Sequence, residues 1–366
     1  MNINRLIKDI RKSSRFGLLQ TIRADLIFGL KNPKSVIFKH KFLEHIKNQA
    51  KDTGKNTFFV IAIPGSVHIV ELCLRFVPEN VPVTIIANGL TNWESQWIND
   101  HLKFTKIIHI PSMLSHGDVI NALVKSVKFP FGILDYDCFV FNPGLFDEAA
   151  KIKDNHQLNA FFSSTNPITH LELPETFFLM INAPLYRELI QKYKIDCRHV
   201  SYFQLSRTVR QRLKSIGIDS NHLPEDFKNY FDTLRLLMVL GLADGYPINY
   251  VERFPAKFKP SNQIFHVGGI SDPNQYKHLW GVRGSYLWRL ALINHPDEEL
   301  RNYYQQIFGK TSPDKVLDSF PGARERIGED FFAFARGLIG KDLLHDSLTI
   351  NDSSTVFGSD KRIFIP

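Results

Sequence analysis

Asp135 and Asp137 stand one residue apart at the end of an apolar run, Phe131-Gly132-Ile133-Leu134, and a second apolar run, Cys138 to Phe141, follows them. In a strand, residues i and i+2 share a face, so the spacing predicts two carboxylates side by side. Two unit charges ~4 Å apart repel by about 4 kcal/mol at an effective dielectric of 20. A cation between or beside them removes that cost. Hard oxygen ligands at a strand end suit Mn²⁺ or Mg²⁺, ions that also hold phosphorylated substrates. A metal-held diphosphate is therefore the expected chemistry. The bland alternative, a solvated acid pair, fits poorly between two runs this apolar.

The elements that must position this pair read as an alternation. Strands are predicted at Thr57–Ile63, Val81–Ala87, Lys106–Ile110 and Phe131–Leu134, with helices at Val67–Phe76, Trp93–Leu102 and Asp118–Val127 between them. Such alternation predicts an α/β fold: a doubly wound, mainly parallel sheet with helices on both faces. Ligands of these sheets lie beyond the carboxyl ends of the strands. Pro64-Gly65-Ser66, Asn88-Gly89 and Asp135-Tyr136-Asp137 would gather there, which makes Pro64, Ser66 and Asn88 candidate substrate contacts. No GxGxxG follows the first strand and no Walker A pattern occurs, which speaks against a dinucleotide-binding domain and a P-loop NTPase.

The order of signals over roughly residues 55–285 resembles the GT-A glycosyltransferases, in particular the inverting family-2 type. The resemblance rests on Asn88-Gly89 after a strand, Gly117 and Asn121 opening the next helix, and Asp135-x-Asp137 followed by Asn142-Pro143. It continues with the strand Thr176–Ile181, the run from Asp232 to Gly245-Tyr246, and His266-x-Gly268-Gly269-x-Ser271. It implies a GT-A-like catalytic domain that moves a sugar from a nucleoside diphosphate sugar to a hydroxyl of a glycan, a lipid-linked saccharide or a protein. It further implies that Asp137 and His266 ligate the metal, that Asp135 joins them directly or through the ribose or a water, and that Gly117, Asn121, Gly268, Gly269 and Ser271 contact the donor. Inverting transfer needs a general base opposite the leaving group. Asp232 is the first candidate and Glu225 or Asp226 the second, while Asp232 also reads as a helix N-cap. Lys277 and Arg283 lie on a segment that would close over the diphosphate and stabilise its charge. Ala87 stands where that family usually carries an acid, so the resemblance names no base.

Two other function classes fit some of these residues. A haloacid-dehalogenase-type phosphatase would use Asp135 as its nucleophile, but its motif usually opens the domain. A non-catalytic module would keep the fold without the chemistry.

The rest of the chain is expected to extend this domain. The 366 residues divide into a basic helical extension (1–50), a catalytic domain (51–285, with the nucleotide-sugar half at 51–145 and the acceptor half at 146–285) and a mostly helical extension (286–366). Residues 1–50 hold eleven Lys and Arg against three acids, which accounts for the whole net charge of +8. A nucleic-acid partner is therefore not expected for the body. An anionic partner is expected for the extension, either a membrane surface or, in the commoner arrangement, none beyond a helix docked on the body with its basic face in water. Three scattered cysteines fit free thiols, and no uninterrupted apolar run reaches ~18 residues. The expected location is cytoplasmic, peripheral at the inner membrane face if the extension binds lipid.

Overall fold

The computed structural model describes residues 14–102, 106–165, 170–219, 230–255, 261–271, 273–274 and 276–340. The chain opens with α1 (Ser14–Lys31), α2 (Pro33–Ile37) and α3 (Lys39–Ala50). It continues through β1 (Phe58–Ala62), α4 (Val67–Leu74), β2 (Val83–Asn88), α5 (Asn92–His101), β3 (Lys106–Ile110), α6 (His116–Ser126) and β4 (Phe131–Leu134). Then come β5 (Cys138–Val140), α7 (Gly144–Ala150), β6 (Leu158–Thr165), β7 (Glu172–Pro174), β8 (Phe178–Ile181), α8 (Ala183–Tyr193) and α9 (Arg207–Lys214). The last elements are α10 (Arg235–Ala243), β9 (Asn249–Pro255), β10 (Ile264–His266), α11 (Leu279–Asn294), α12 (Glu298–Phe308), α13 (Pro313–Asp318), α14 (Ala323–Ile327) and α15 (Glu329–Gly340).

The main sheet runs β3-β2-β1-β4-β8-β6-β7, with β9 beside β6. Its first half is parallel, as the alternation predicts: β1 pairs β2 and β4, and β2 pairs β3. Its second half departs from that expectation, because β8 runs antiparallel to β4 and β6, and β7 antiparallel to β6. The short link from β6 to β7 can only return the strand antiparallel, while β8 meets β4 across more than forty residues of chain. The sheet is therefore mixed and mostly parallel.

Burial on both faces explains the continuous apolar run of β1. Phe58, Val60 and Ala62 enter one core with α4 and the C-terminal helices. Phe59 and Ile61 enter the other with α3, α6, α8 and α10.

One boundary differs from the sequence reading. The limit expected between 285 and 286 falls inside α11, whose Trp288 and Leu292 belong to the same core as β1. The helical extension is broken at Asn32-Pro33, where proline opens α2.

Candidate active site

The carboxylates do not share a strand face. β4 ends at Leu134, and Asp135-Tyr136-Asp137 turns the chain into β5, with the Cys138 N–H donating to the Asp135 carbonyl at 2.9 Å. The pair is brought together by this turn, not by the two-residue period of a strand. The Asp135 N–H donates to the Phe177 carbonyl at 2.8 Å, which fixes the turn to the start of β8. β10 pairs antiparallel with β5, placing His266 opposite Cys138, and the Val267 N–H donates to the Asp137 carbonyl at 3.0 Å.

This second sheet delivers His266 to the turn. His266 Nε2 lies 3.2 Å from Asp137 Oδ1 and 4.0 Å from Asp135 Oδ2. Its ring stacks on Phe177 with centroids 3.4 Å apart. One ligand atom from each of Asp135, Asp137 and His266 lies within 4.8 Å of the others. Burial first, and then the Asp137 charge, raise the Asp135 pKa well above the carboxylate range. Behind the turn, the Cys73 thiol donates to the Cys138 carbonyl at 3.3 Å, and burial pushes its pKa up, so it stays protonated. The donor set fits a divalent ion: two crowded carboxylates that need a counter-charge, and an imidazole already aimed at them. Mn²⁺ accepts such a mixed set more readily than Mg²⁺, which favours oxygen ligands.

Gly268 and Gly269 follow His266 with φ of +70° and +77°, a backbone region side chains avoid. Their close approach is to α11. A Cβ on Gly284 would fall 2.4 Å from the Gly269 carbonyl carbon, and one on Gly269 would fall 2.4 Å from the Trp280 oxygen. Arg283 is buried; its guanidinium donates to the Val267 carbonyl and lies over the Phe265 and Phe331 rings. Burial lowers its pKa to about 9, and the nearby Asp137 charge opposes that shift. It thus braces the loop behind His266 instead of reaching out as an expected surface clamp. Ser271 and Lys277 are exposed.

Two of the expected strand-end contacts have structural work. Ser66 is buried, exchanging hydrogen bonds with Ile63, and the C-terminal helices roof its turn: the Trp288 Nε1–H donates to the Gly65 carbonyl at 2.6 Å. Pro64 beside it is half-buried. Asn88 is buried, and its amide bonds both ways to Leu114, Nδ2 donating at 2.9 Å and Oδ1 accepting at 2.8 Å. It ties β2 to the loop before α6.

The mouth of α6 forms a second group on the same edge of the sheet. A Cβ on Gly117 would sit 2.8 Å from Arg198 Cα and 3.3 Å from Thr233 Oγ1, so this glycine admits the loop bearing Asp232. One turn on, Asn121 is buried, and its Oδ1 has no hydrogen-bond partner among the described residues. Asp232 is not the N-cap of α10. Leu234 takes that position at φ 65°, while the Asp232 carboxylate accepts the Thr233 N–H at 2.9 Å in the turn before it. Glu225 and Asp226 lie outside the described residues.

Sequence reasoning gave His116 no role. The fold puts it beside Asp232, whose charge opposes the lowering of the His116 pKa by burial. It also missed Glu175, which sits just before β8 and pairs with the buried Arg235 at 2.8 Å. Only their positions next to strand and helix ends hinted at either.

The family model of the StrH glycosyltransferase N-terminal domain matches residues 37–186, a span that includes β1 to β4 and the Asp135–Asp137 turn. A curated relative, the dTDP-dihydrostreptose–streptidine-6-phosphate dihydrostreptosyltransferase of Streptomyces griseus, is 28% identical over 260 residues, which are 58% of this chain and 67% of the relative. Among solved structures, the 1–349 piece of TarS from S. aureus overlays with a TM-score of 0.29 at 14% identity, covering 78% of this chain and 80% of that one. The glycosyltransferase GlyE of Streptococcus pneumoniae TIGR4 overlays at 0.31 and 9% identity, covering 77% and 64%. Overlays this loose transfer no site residues. The family model and the curated relative both point to sugar transfer, and the chain is a glycosyltransferase. The phosphatase and non-catalytic expectations fall with that match.

Proposed function

We propose that this glycosyltransferase takes its sugar from a nucleoside diphosphate donor and passes it, with inversion and metal dependence, to a hydroxyl acceptor. The observation that carries the reading is the grouping of Asp135, Asp137 and His266 within 4.8 Å at the carboxyl edge of the sheet. Asp137 and His266 would hold Mn²⁺ or Mg²⁺, with Asp135 beside them. The bound ion supplies a Lewis acid that neutralises the departing diphosphate.

The chain's own residues do the rest. Asp232 accepts the acceptor hydroxyl proton as the new bond to the anomeric carbon forms. The sugar–diphosphate bond breaks, and its electron pair leaves with the diphosphate. The Thr233 N–H holds the Asp232 carboxylate in place, and burial keeps neighbouring His116 neutral, so that it does not compete as a cation. The Asn121 oxygen, without a hydrogen-bond partner among the described residues, is the acceptor proposed for a substrate hydroxyl.

Thymidine donors join uridine and guanosine donors as candidates, because the S. griseus relative is named for a dTDP-sugar. Its named acceptor is a phosphorylated streptidine; glycans, lipid-linked saccharides and proteins are the wider class proposed here. An anionic partner for residues 1–50 and a cytoplasmic site of action belong to the same reading. Among the described residues, no helix is long and apolar enough to cross a membrane.

A thermal-shift panel of dTDP, UDP and GDP with and without Mn²⁺, together with Asp137→Ala, tests the proposal. A metal-dependent shift with one nucleotide is expected. Asp137→Ala is expected to abolish that shift and Mn²⁺-dependent donor hydrolysis while the chain stays folded. Unchanged activity in that variant would remove the metal-site assignment.

A further inference from the structure

The outward face of α1 is apolar. Leu19, Ile22, Leu26 and Leu30 follow at steps of three, four and four, which puts them within about 80° of one another on a helix that turns about 100° per residue. They are 53–74% exposed. The opposite side of the helix meets the body: Thr21 is buried, Asp25 Oδ1 lies 3.1 Å from His199 Nε2, and α1 packs on the 3-10 turn Tyr202–Gln204. The helix is thus seated with its leucines outward, the reverse of a docked amphipathic helix. Exposed Val36 and Ile37 carry the stripe into α2. Of the fourteen exposed large hydrophobic residues among the described residues, eight lie between 19 and 38. A patch this concentrated marks a contact surface.

Charge selects the occupant. Exposed Arg23, Lys31, Lys34 and Lys41 flank the stripe. The acids nearby are engaged: Asp25 faces His199, and Glu44 pairs with Lys47 at 2.5 Å. A second copy of the chain would bring like charge against like charge, whereas an anionic lipid surface neutralises it. We propose that α1 and α2 dock on an anionic membrane surface, with the leucine stripe in the headgroup–acyl boundary and the basic side chains over the headgroups.

The seat of these helices joins that surface to the site. The Ser35 hydroxyl donates to the Met113 carbonyl at 2.6 Å, and Lys39 pairs with Asp118 at 2.7 Å in the first turn of α6. A docked membrane would therefore lie near the mouth where Gly117, His116 and Asp232 meet. Given the transfer reaction proposed above, that favours a lipid-linked acceptor; the docking itself does not depend on that reaction.

Vesicle sedimentation of the full chain tests the docking. Binding is expected to phosphatidylcholine vesicles that contain phosphatidylglycerol and not to phosphatidylcholine alone. Lys31→Gln and Lys34→Gln should each lower the partition coefficient roughly fivefold. The double variant Leu26→Asp/Leu30→Asp should lower it at least about tenfold, with an unchanged circular dichroism spectrum and unchanged Mn²⁺-dependent donor hydrolysis. Absence of wild-type binding, or binding by the double variant equal to wild type, would overturn the proposal. So would a concentration-dependent doubling of mass in solution that Leu26→Asp abolishes, since that result assigns the face to a second copy. Donor hydrolysis reads the active site separately, so failure of the docking and failure of the transfer reading are told apart.

Discussion

Replacing Asp135 by asparagine should stabilise the metal-free enzyme while destroying its response to metal. At the 4.8 Å limit of the cluster, two carboxylates repel by about 3 kcal/mol at an effective dielectric of 20. His266, 3.2 Å from Asp137, offsets part of that, which leaves about 1–3 kcal/mol for Asp135→Asn to recover. The sign follows from proton binding. The native Asp135 pKa lies above its unfolded value, so the folded state keeps a proton that the unfolded chain releases. Stability of the metal-free protein is then greatest below the unfolded carboxylate pKa and falls as pH rises through the native one. The assay is thermal or urea unfolding in EDTA across pH 4–8, repeated with excess Mn²⁺. In EDTA at neutral pH the variant should melt a few degrees above wild type, and its stability should vary less with pH. With Mn²⁺, wild type should gain about 2–3 kcal/mol at a hundredfold excess over Kd, and the variant far less. A variant that is less stable than wild type in EDTA, or that keeps the full Mn²⁺ shift, would refute the reasoning.

Gly284→Ala should cost about 1–3 kcal/mol and lower donor affinity, because its Cβ would press on the Gly268-Gly269 loop at 2.4 Å; urea unfolding and nucleotide titration measure both. His68 is buried against Trp288 with its pKa lowered to about 3. Its contribution is full above the unfolded histidine value of about 6.5 and lost as pH falls toward 3, so His68→Gln should flatten the acid limb of stability in urea titrations at graded pH. Asp232→Asn should reduce kcat by about 10²-fold or more with KM for the donor little changed, as expected for loss of a general base; an equal loss in KM alone would argue for a binding role.

Local periodicity exposed the first half of the fold. Alternating short, mostly apolar runs and helical stretches suffice to specify β1 to β4, strands of 4–6 residues, and their crossovers, because burial on both faces leaves few other solutions. Residue chemistry likewise singled out Asp135 and Asp137, and the resemblance singled out His266. Yet the spacing argument put the two acids on a strand, when a turn holds them. Their meeting with His266 depends on β10 pairing with β5 across about 125 residues, which no local pattern encodes.

Only the tertiary structure decided the direction of β6 and β8, the inward turn of Arg283, the meeting of His116 with Asp232, and the roof that Trp288 lays over Gly65. The same holds for α1. Its sequence contains an apolar stripe and a basic flank, but which of them meets the body was settled by contacts with the turn at Tyr202–Gln204 and with His199, far along the chain. Side-chain spacing states what a helix or strand offers on each face. The free energy of packing, summed over partners distant in sequence, selects which face is buried and which groups become neighbours.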